Sequence, residues 1–316
     1  MFRILTAEES YGKALVAVLE GMPAGLKIDG ARINAELKRR QAGFGRGKRM
    51  QIERDTASIV SGLKGGVTLG SPLTVLIENK DFRIEKMQAV VCPRPGHADL
   101  AGLLKYGLSD IREVLERASA RSTAATVAVG AVCKILLSEF GISLSSMPLS
   151  VGGQDTPEGM REKIKQAIER KDTVGGVFEV VARGVPVGLG SYVQPDRRLD
   201  ARLGQAFMAI PGVKGFEVGL GFGYAEQFGS QVHDPIYHKK GKGYYRQTNN
   251  AGGIEGGISN GEDIVVRACM KPICTLMNPL DSVHIKTKNP SKANTERSDV
   301  SVVEAAGVVG EAACAY

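Results

Sequence analysis

The sequence predicts an α/β fold made of two similar halves, roughly residues 1–140 and 142–316, within a single domain. Three observations predict it. Strand-like segments of alternating or continuous apolar residues give way repeatedly to helix-like segments with one apolar stripe. The segment VLEGMPAGL at 18–26 returns as VARGVPVGL at 181–189, with a strand exit, Gly-x-Pro-x-Gly and Leu in the same order. TAATVAVGAVCKILLSEF at 123–140 and the last stretch of the chain are long runs of small apolar residues, the composition of buried helices.

Taken in order, GKALVAVLE (12–20) reads as a strand that exits into the Gly/Pro turn 21–26. Asp29 offers an N-cap to a short helix whose apolar face is Ile33 and Leu37 and whose end is Lys38-Arg39-Arg40. A glycine- and arginine-rich loop, QAGFGRGKRM (41–50), follows. MQIERD, ASIVSGL and SPLTVLIEN then read as strands. A helical region over 97–140 ends at Gly141. ISLSSMPLSVGG starts the second half as a strand, and 157–171 is an amphipathic helix with Met160, Ile164 and Ile168 on one stripe. Residues 175–192 read as strand and turn, 199–210 as a helix, and GVKGFEVGLGFG as the start of a strand. The stretch 223–252 has few apolar anchors and reads as a long mobile loop able to close over a site. A glycine-rich turn into a strand and a terminal helix complete the chain.

The totals limit the function. With 316 residues, 43% hydrophobic and 24% charged, the composition is that of a globular protein. No apolar run reaches the roughly 18–20 residues of a membrane span, and MFRILTAEES brings acidic residues ahead of any apolar leader segment. The five cysteines, Cys92, Cys133, Cys269, Cys274 and Cys314, never form CxxC, which points to reduced thiols in a cytoplasmic protein and away from a zinc site. A net charge of +7 asks for an anionic partner. With no Trp and 5% aromatics, platforms for stacking bases are scarce, so a small anion is favoured over nucleic acid or a membrane surface.

Three basic clusters stand out: Arg40/Arg46/Arg49, Arg94/Arg117/Arg121 and Lys271/Arg297. Most charges simply cover solvated faces. These are interleaved with Gly, Ala, Ser or Pro instead of Glu and sit at element boundaries, where anions bind. His97 can give or take a proton near neutral pH, although a lone histidine is more often a structural hydrogen bonder. Arg94 and Asp99 lie near enough in sequence to tune it. Asp299 follows Arg297 by two, so on an extended segment both face one side. Such a carboxylate is most often an ion pair, and in a closed site can be a base.

The blocks RRQAGFGRGKRMQIERD, RPGHADLAGLLKY, DIREVLERASAR, GGIEGGISNGEDIVVR, MKPICTL and ERSD, in that order, resemble the chorismate synthases over nearly the whole chain. The resemblance implies helices packed between antiparallel sheets and a homotetramer. It implies a phosphate lyase of the shikimate pathway that turns 5-enolpyruvylshikimate 3-phosphate into chorismate with reduced FMN, NADPH being a candidate reductant. It assigns Ser10, Arg40, Arg46, Arg49, Arg94 and Arg121 to the substrate, with Arg40 and Arg46 also meeting NADP. Arg117, Ala118, Ser119, Pro211, Gly212, Gly256, Lys271, Pro272, Ile273, Cys274, Thr275 and Arg297 fall on flavin positions. His97 matches the histidine that lies against the flavin, and Asp299 the carboxylate that removes the C6 proton. No metal is implied.

The chain departs from the family where a Gly-Glu-Ser-His-Gly motif is usual and Glu8-Glu9-Ser10-Tyr11-Gly12 stands instead. Tyr11 thus replaces a catalytic histidine assigned to protonating the departing phosphate, which predicts slowed turnover. Ser122 replaces a frequent glutamate, Pro211-Gly212 differs from the commoner pair, and the loops before Pro93 and near 152–160 are short. The alternatives are a degenerate flavin-binding paralogue and, more distantly, a basic nucleic-acid-binding protein.

Overall fold

The computed structural model describes residues 2–47, 49–241 and 243–316. In the first half, β1 (Arg3–Glu8), β2 (Ala14–Glu20), β3 (Ala57–Ser61) and β4 (Leu73–Glu78) form an antiparallel sheet in the order β1-β2-β4-β3. In the second, β5 (Ser143–Val151), β6 (Gly176–Arg183), β7 (Val213–Val218) and β8 (Ile264–Met270) form another in the order β5-β6-β8-β7. Each sheet therefore joins its first, second, fourth and third strands. The helices in chain order are α1 (Gly30–Gln41), a short α2 (Arg49–Ile52), α3 (Asp99–Tyr106), α4 (Ile111–Arg117), α5 (Thr123–Ser138), α6 (Pro157–Glu169), α7 (Leu199–Met208), a short α8 (Gly229–Val232) and α9 (Val303–Ala315).

The period-two pattern of the strands decides which face is buried. Leu15, Ala17 and Leu19 of β2 lie opposite Ile77, Val75 and Leu73 of β4, and all six are buried. Phe178, Val180 and Ala182 of β6 stand likewise opposite Ala268, Val266 and Ile264 of β8. Between the two apolar faces lie α1, α5, α7 and α9, with α5 against β2 and β4 and α9 against β5 and β6. Helices sandwiched between antiparallel sheets is the observed architecture.

The small residues of α5 and α9 let the two helices touch backbone to backbone. A Cβ built on Gly130 would lie 2.3 Å from the Ala312 Cβ and 2.6 Å from its Cα. Gly130→Val is therefore expected to overpack this contact and lower stability by about 1–3 kcal/mol. A reduced urea midpoint at constant m-value would show it, and an unchanged midpoint would refute the contact. Beside it, the fully buried Glu311 accepts hydrogen bonds from Arg39 at 2.9 and 2.7 Å, from Ser146 at 2.6 Å and from Lys134. Burial would raise the Glu311 pKa, but Arg39 and Lys134 hold it below the ordinary carboxylate value.

Several sequence expectations change. MQIERD is not a strand: its first three residues end the short helix α2, and 53–55 are irregular. β1, which the sequence reading passed over, is an edge strand with Leu5 exposed. The run Ile111–Ser138 does have the length and mean hydropathy of a membrane span, yet most of it is buried within the protein. Residues 223–252 are not one long loop: they hold a 3-10 turn, α8 and the hairpin Ile236–Lys239/Gly243–Arg246. Asp234 pins the segment by accepting from the Thr248 hydroxyl at 2.6 Å and from the Asn250 and Ala251 N–H groups, each at 2.8 Å.

Candidate active site

The ends of α1 and the β1–β2 turn meet the start of α5 and the segments 271–275 and 296–299 around a cavity of about 590 Å3. Arg40, Arg46, Arg49, Arg94, Arg121, Lys271 and Arg297 all line it, and so do Ser10, Tyr11, His97 and Asp299. Groups from all three basic clusters thus converge on one space. Each guanidinium is held from behind.

Arg40, in the last turn of α1, donates to the Thr123 hydroxyl at 2.8 Å and the Ala120 carbonyl at 3.1 Å, with Asp55 at 3.6 Å. Burial, then the nearby Arg121 cation, push its pKa down to about 9. Arg121 donates to Asp55 at 2.7 Å and to Asn79 at 2.9 and 2.7 Å. Arg49 donates to the Ser10 hydroxyl at 2.8 Å and its carbonyl at 2.5 Å. It also lies 4.1 Å over the Tyr11 ring, which Arg83 approaches at 5.0 Å. The buried Glu116 fixes this turn, since its carboxylate accepts from the Tyr11 N–H at 2.7 Å and its carbonyl from the Ser10 N–H at 3.0 Å.

The glycine loop brings Arg46 to 3.5 Å from the Asp299 carboxylate, and the Gly47 N–H donates to the same carboxylate at 2.5 Å. A Cβ on Gly47 would lie 2.8 Å from the Ser298 carbonyl, so this approach requires glycine. Burial lowers the Arg46 pKa. Arg94 spends donors on Asp99 and on the Thr275 hydroxyl at 2.7 Å.

The lining suits a flat ring and an anion together. Arg40 Nη1, Arg46 Nε and Arg49 Nε are buried and make no hydrogen bond among the described residues, an arrangement an incoming phosphate or carboxylate would complete. Ile210, Pro211, Met270, Val302, Ala306 and Val309 form an apolar wall. Gly212 keeps this wall thin, with φ +89 and space for a Cβ already taken by the Met270 sulfur at 2.7 Å. The residues present therefore fit a flavin beside an acidic substrate.

Most residues assigned by resemblance reach the cavity, including Ala118, Ser119, Pro211, Gly212 and the run Lys271, Pro272, Ile273, Cys274 and Thr275. Two do not. Arg117 borders a side cavity of about 250 Å3 and is paired with Glu8 at 2.5 Å. Gly256 sits in the turn of the hairpin Ile254–Glu255/Ile258–Ser259, which is bonded to residues 189–199 away from the lining. The sequence reading also missed the counter-acids. Glu53 and Asp55 close the RRQAGFGRGKRMQIERD block and Glu116 lies within DIREVLERASAR, but nothing local links them to arginines far along the chain. Among the described residues no group of three or more His, Cys, Asp or Glu is placed to hold a metal ion.

The model of the chorismate synthase family matches residues 2–316. Chorismate synthase of Caldanaerobacter subterraneus subsp. tengcongensis is 56% identical over 317 residues, 99% of this chain and 91% of that protein. Chorismate synthase of Aquifex aeolicus is 50% identical over 356 residues, 98% of this chain and 89% of that protein. A solved structure described as a crystal structure of chorismate synthase superposes with a TM-score of 0.80 at 43% identity, over 99% of this chain and 89% of that one.

Proposed function

The chain belongs to the chorismate synthase family, and from that membership we propose that it converts 5-enolpyruvylshikimate 3-phosphate to chorismate and phosphate with reduced FMN in the cavity described above. The observation that carries this reading is the convergence of six arginines, three with a buried donor that makes no hydrogen bond among the described residues, on a space that also holds His97, Asp299 and an apolar wall.

The reaction removes phosphate and a C6 proton from opposite faces of the substrate ring. Arg40, Arg46, Arg49, Arg94 and Arg121 orient the carboxylates and the phosphate, to which guanidinium groups are geometrically suited. Ser10 and Tyr11, both beside Arg49, are placed to donate hydrogen bonds to the leaving phosphate. Asp299 takes the C6 proton, its carboxylate aimed by the Gly47 N–H. When bound, reduced FMN would supply the transient electron density that breaking the allylic C–O bond calls for. The apolar wall would limit water on its side of the flavin.

Ala118, Ser119, Pro211, Gly212, the segment Lys271 to Thr275 and Arg297 would hold the flavin. NADPH would meet Arg40 and Arg46. Because both line the same cavity as the substrate clamps, NADPH and substrate would exclude one another. The homotetramer belongs to the same proposal. Nothing in the geometry favours a flavin-binding paralogue without turnover.

The test is an anaerobic assay of the full chain with reduced FMN and 5-enolpyruvylshikimate 3-phosphate. Chorismate and phosphate should appear in equal amounts, and neither when flavin is omitted. Tight flavin binding with no chorismate formed would overturn the proposal.

A further inference from the structure

We propose that Asp99 is a positioning residue that fixes the proton of His97 on Nδ1 and leaves Nε2 as the atom offered to the cavity. The proposal rests on the reading of the cavity as a flavin and substrate site, but its first test does not.

The argument starts from donor and acceptor counts. His97 Nδ1 lies 2.5 Å from Asp99 Oδ1 and 3.0 Å from Arg94 Nη2. An arginine nitrogen can only donate and a carboxylate can only accept, so one tautomer satisfies each neighbour. With a lone pair on Nδ1, the ring could accept from Arg94. Two lone pairs would then face each other across the shorter contact, that to Asp99. With a proton on Nδ1 the shorter contact becomes a charge-assisted hydrogen bond, and Arg94 keeps its own partner, since Nη2 also donates to Asp99 Oδ1 at 3.0 Å. The shorter contact decides the tautomer.

Asp99 is suited to this task. It is fully buried and starts α3. It also accepts from Arg94 Nε at 2.8 Å and from the Arg94 N–H at 3.0 Å. Burial would raise its pKa, but the hydrogen bonds from His97 and Arg94 hold it well below the ordinary carboxylate value. It therefore stays an acceptor while His97 gains or loses a proton. Lys271 secures the same turn by donating to the Gly96 carbonyl. Other charged or titratable groups near the ring are Arg94, Cys274 beside Gly96, and Arg297 and Asp299 in the shared cavity lining.

The experiment is 15N NMR of the full chain labelled in its histidine rings. With four histidines in the sequence, His97→Gln suffices to assign the signal. The neutral ring of His97 should carry its proton on Nδ1. A ring with the proton on Nε2 would overturn the proposal, whether or not the protein turns over substrate. In Asp99→Asn the signal should move to the other tautomer or a mixture. Turnover should then fall roughly ten-fold with the flavin Kd nearly unchanged. If Asp99→Asn folds and keeps the native tautomer, the positioning role is refuted. If that variant does not fold, the wild-type spectrum alone decides.

Discussion

Asp299→Asn should lower kcat by about 10²–10⁴-fold, the range that general acid–base catalysis supplies. The substitution keeps the size of the side chain and an oxygen able to accept from the Gly47 N–H, so the glycine loop should stay in place. It removes the charge that faces Arg46 at 3.5 Å and the basicity that would take up the C6 proton. Flavin affinity should change little, because the flat wall and segment 271–275 are untouched. KM should also change little, since the clamps on the anionic groups remain. A kcat within three-fold of the native value, measured anaerobically, would show that another group takes the proton.

Tyr11→His should raise turnover, by roughly 10–10² at mildly acidic pH and less at pH 8. Tyrosine has an ordinary pKa of about 10 and histidine about 6.5, so the imidazolium is the better acid toward a leaving phosphate. The surroundings temper the gain. Arg49 and Arg83 stand 4.1 and 5.0 Å from the ring centre that an imidazolium would occupy. A like charge at about 4 Å costs up to about 4 kcal/mol at an effective dielectric of roughly 20. The phosphate dianion of the substrate offsets that repulsion, so the gain should appear in kcat/KM only as the solution becomes acidic enough to keep the imidazole protonated. A variant no faster than the native chain anywhere between pH 6 and 8 would show that Tyr11 is not where the missing acid belongs.

Much of this molecule was legible in its sequence because the informative patterns are local. The Asp29 cap, the buried Ile33 and Leu37 and the small-residue helices follow from spacing and composition. The basic clusters announced an anion site because small residues, more than acids, are interleaved with them. What could not be read is who stands behind them. Arg121 is held by Asn79 and Asp55, Arg112 by Glu296, and Tyr11 by Glu116, 105 positions away. Such pairs exist only after both sheets have closed on the helices. Local errors have local causes as well. MQIERD alternates like a strand, but Arg49 reaches back to Ser10 and winds a short turn there. Residues 223–252 looked unanchored because the anchor is one buried acid, Asp234, bonded to backbone that composition cannot show.

The division of the chain at Gly141 separates the arginine donors of the proposed site from its proposed base, Asp299. The five arginines proposed to grip the substrate all precede that residue, and the proposed base Asp299, Lys271, Arg297 and the apolar wall all follow it. A fragment of either part would be chemically mute, one able to hold without reacting, the other without anything to hold. Catalysis is thus a property of the seam, and selection on activity acts at once on how faithfully the two parts join.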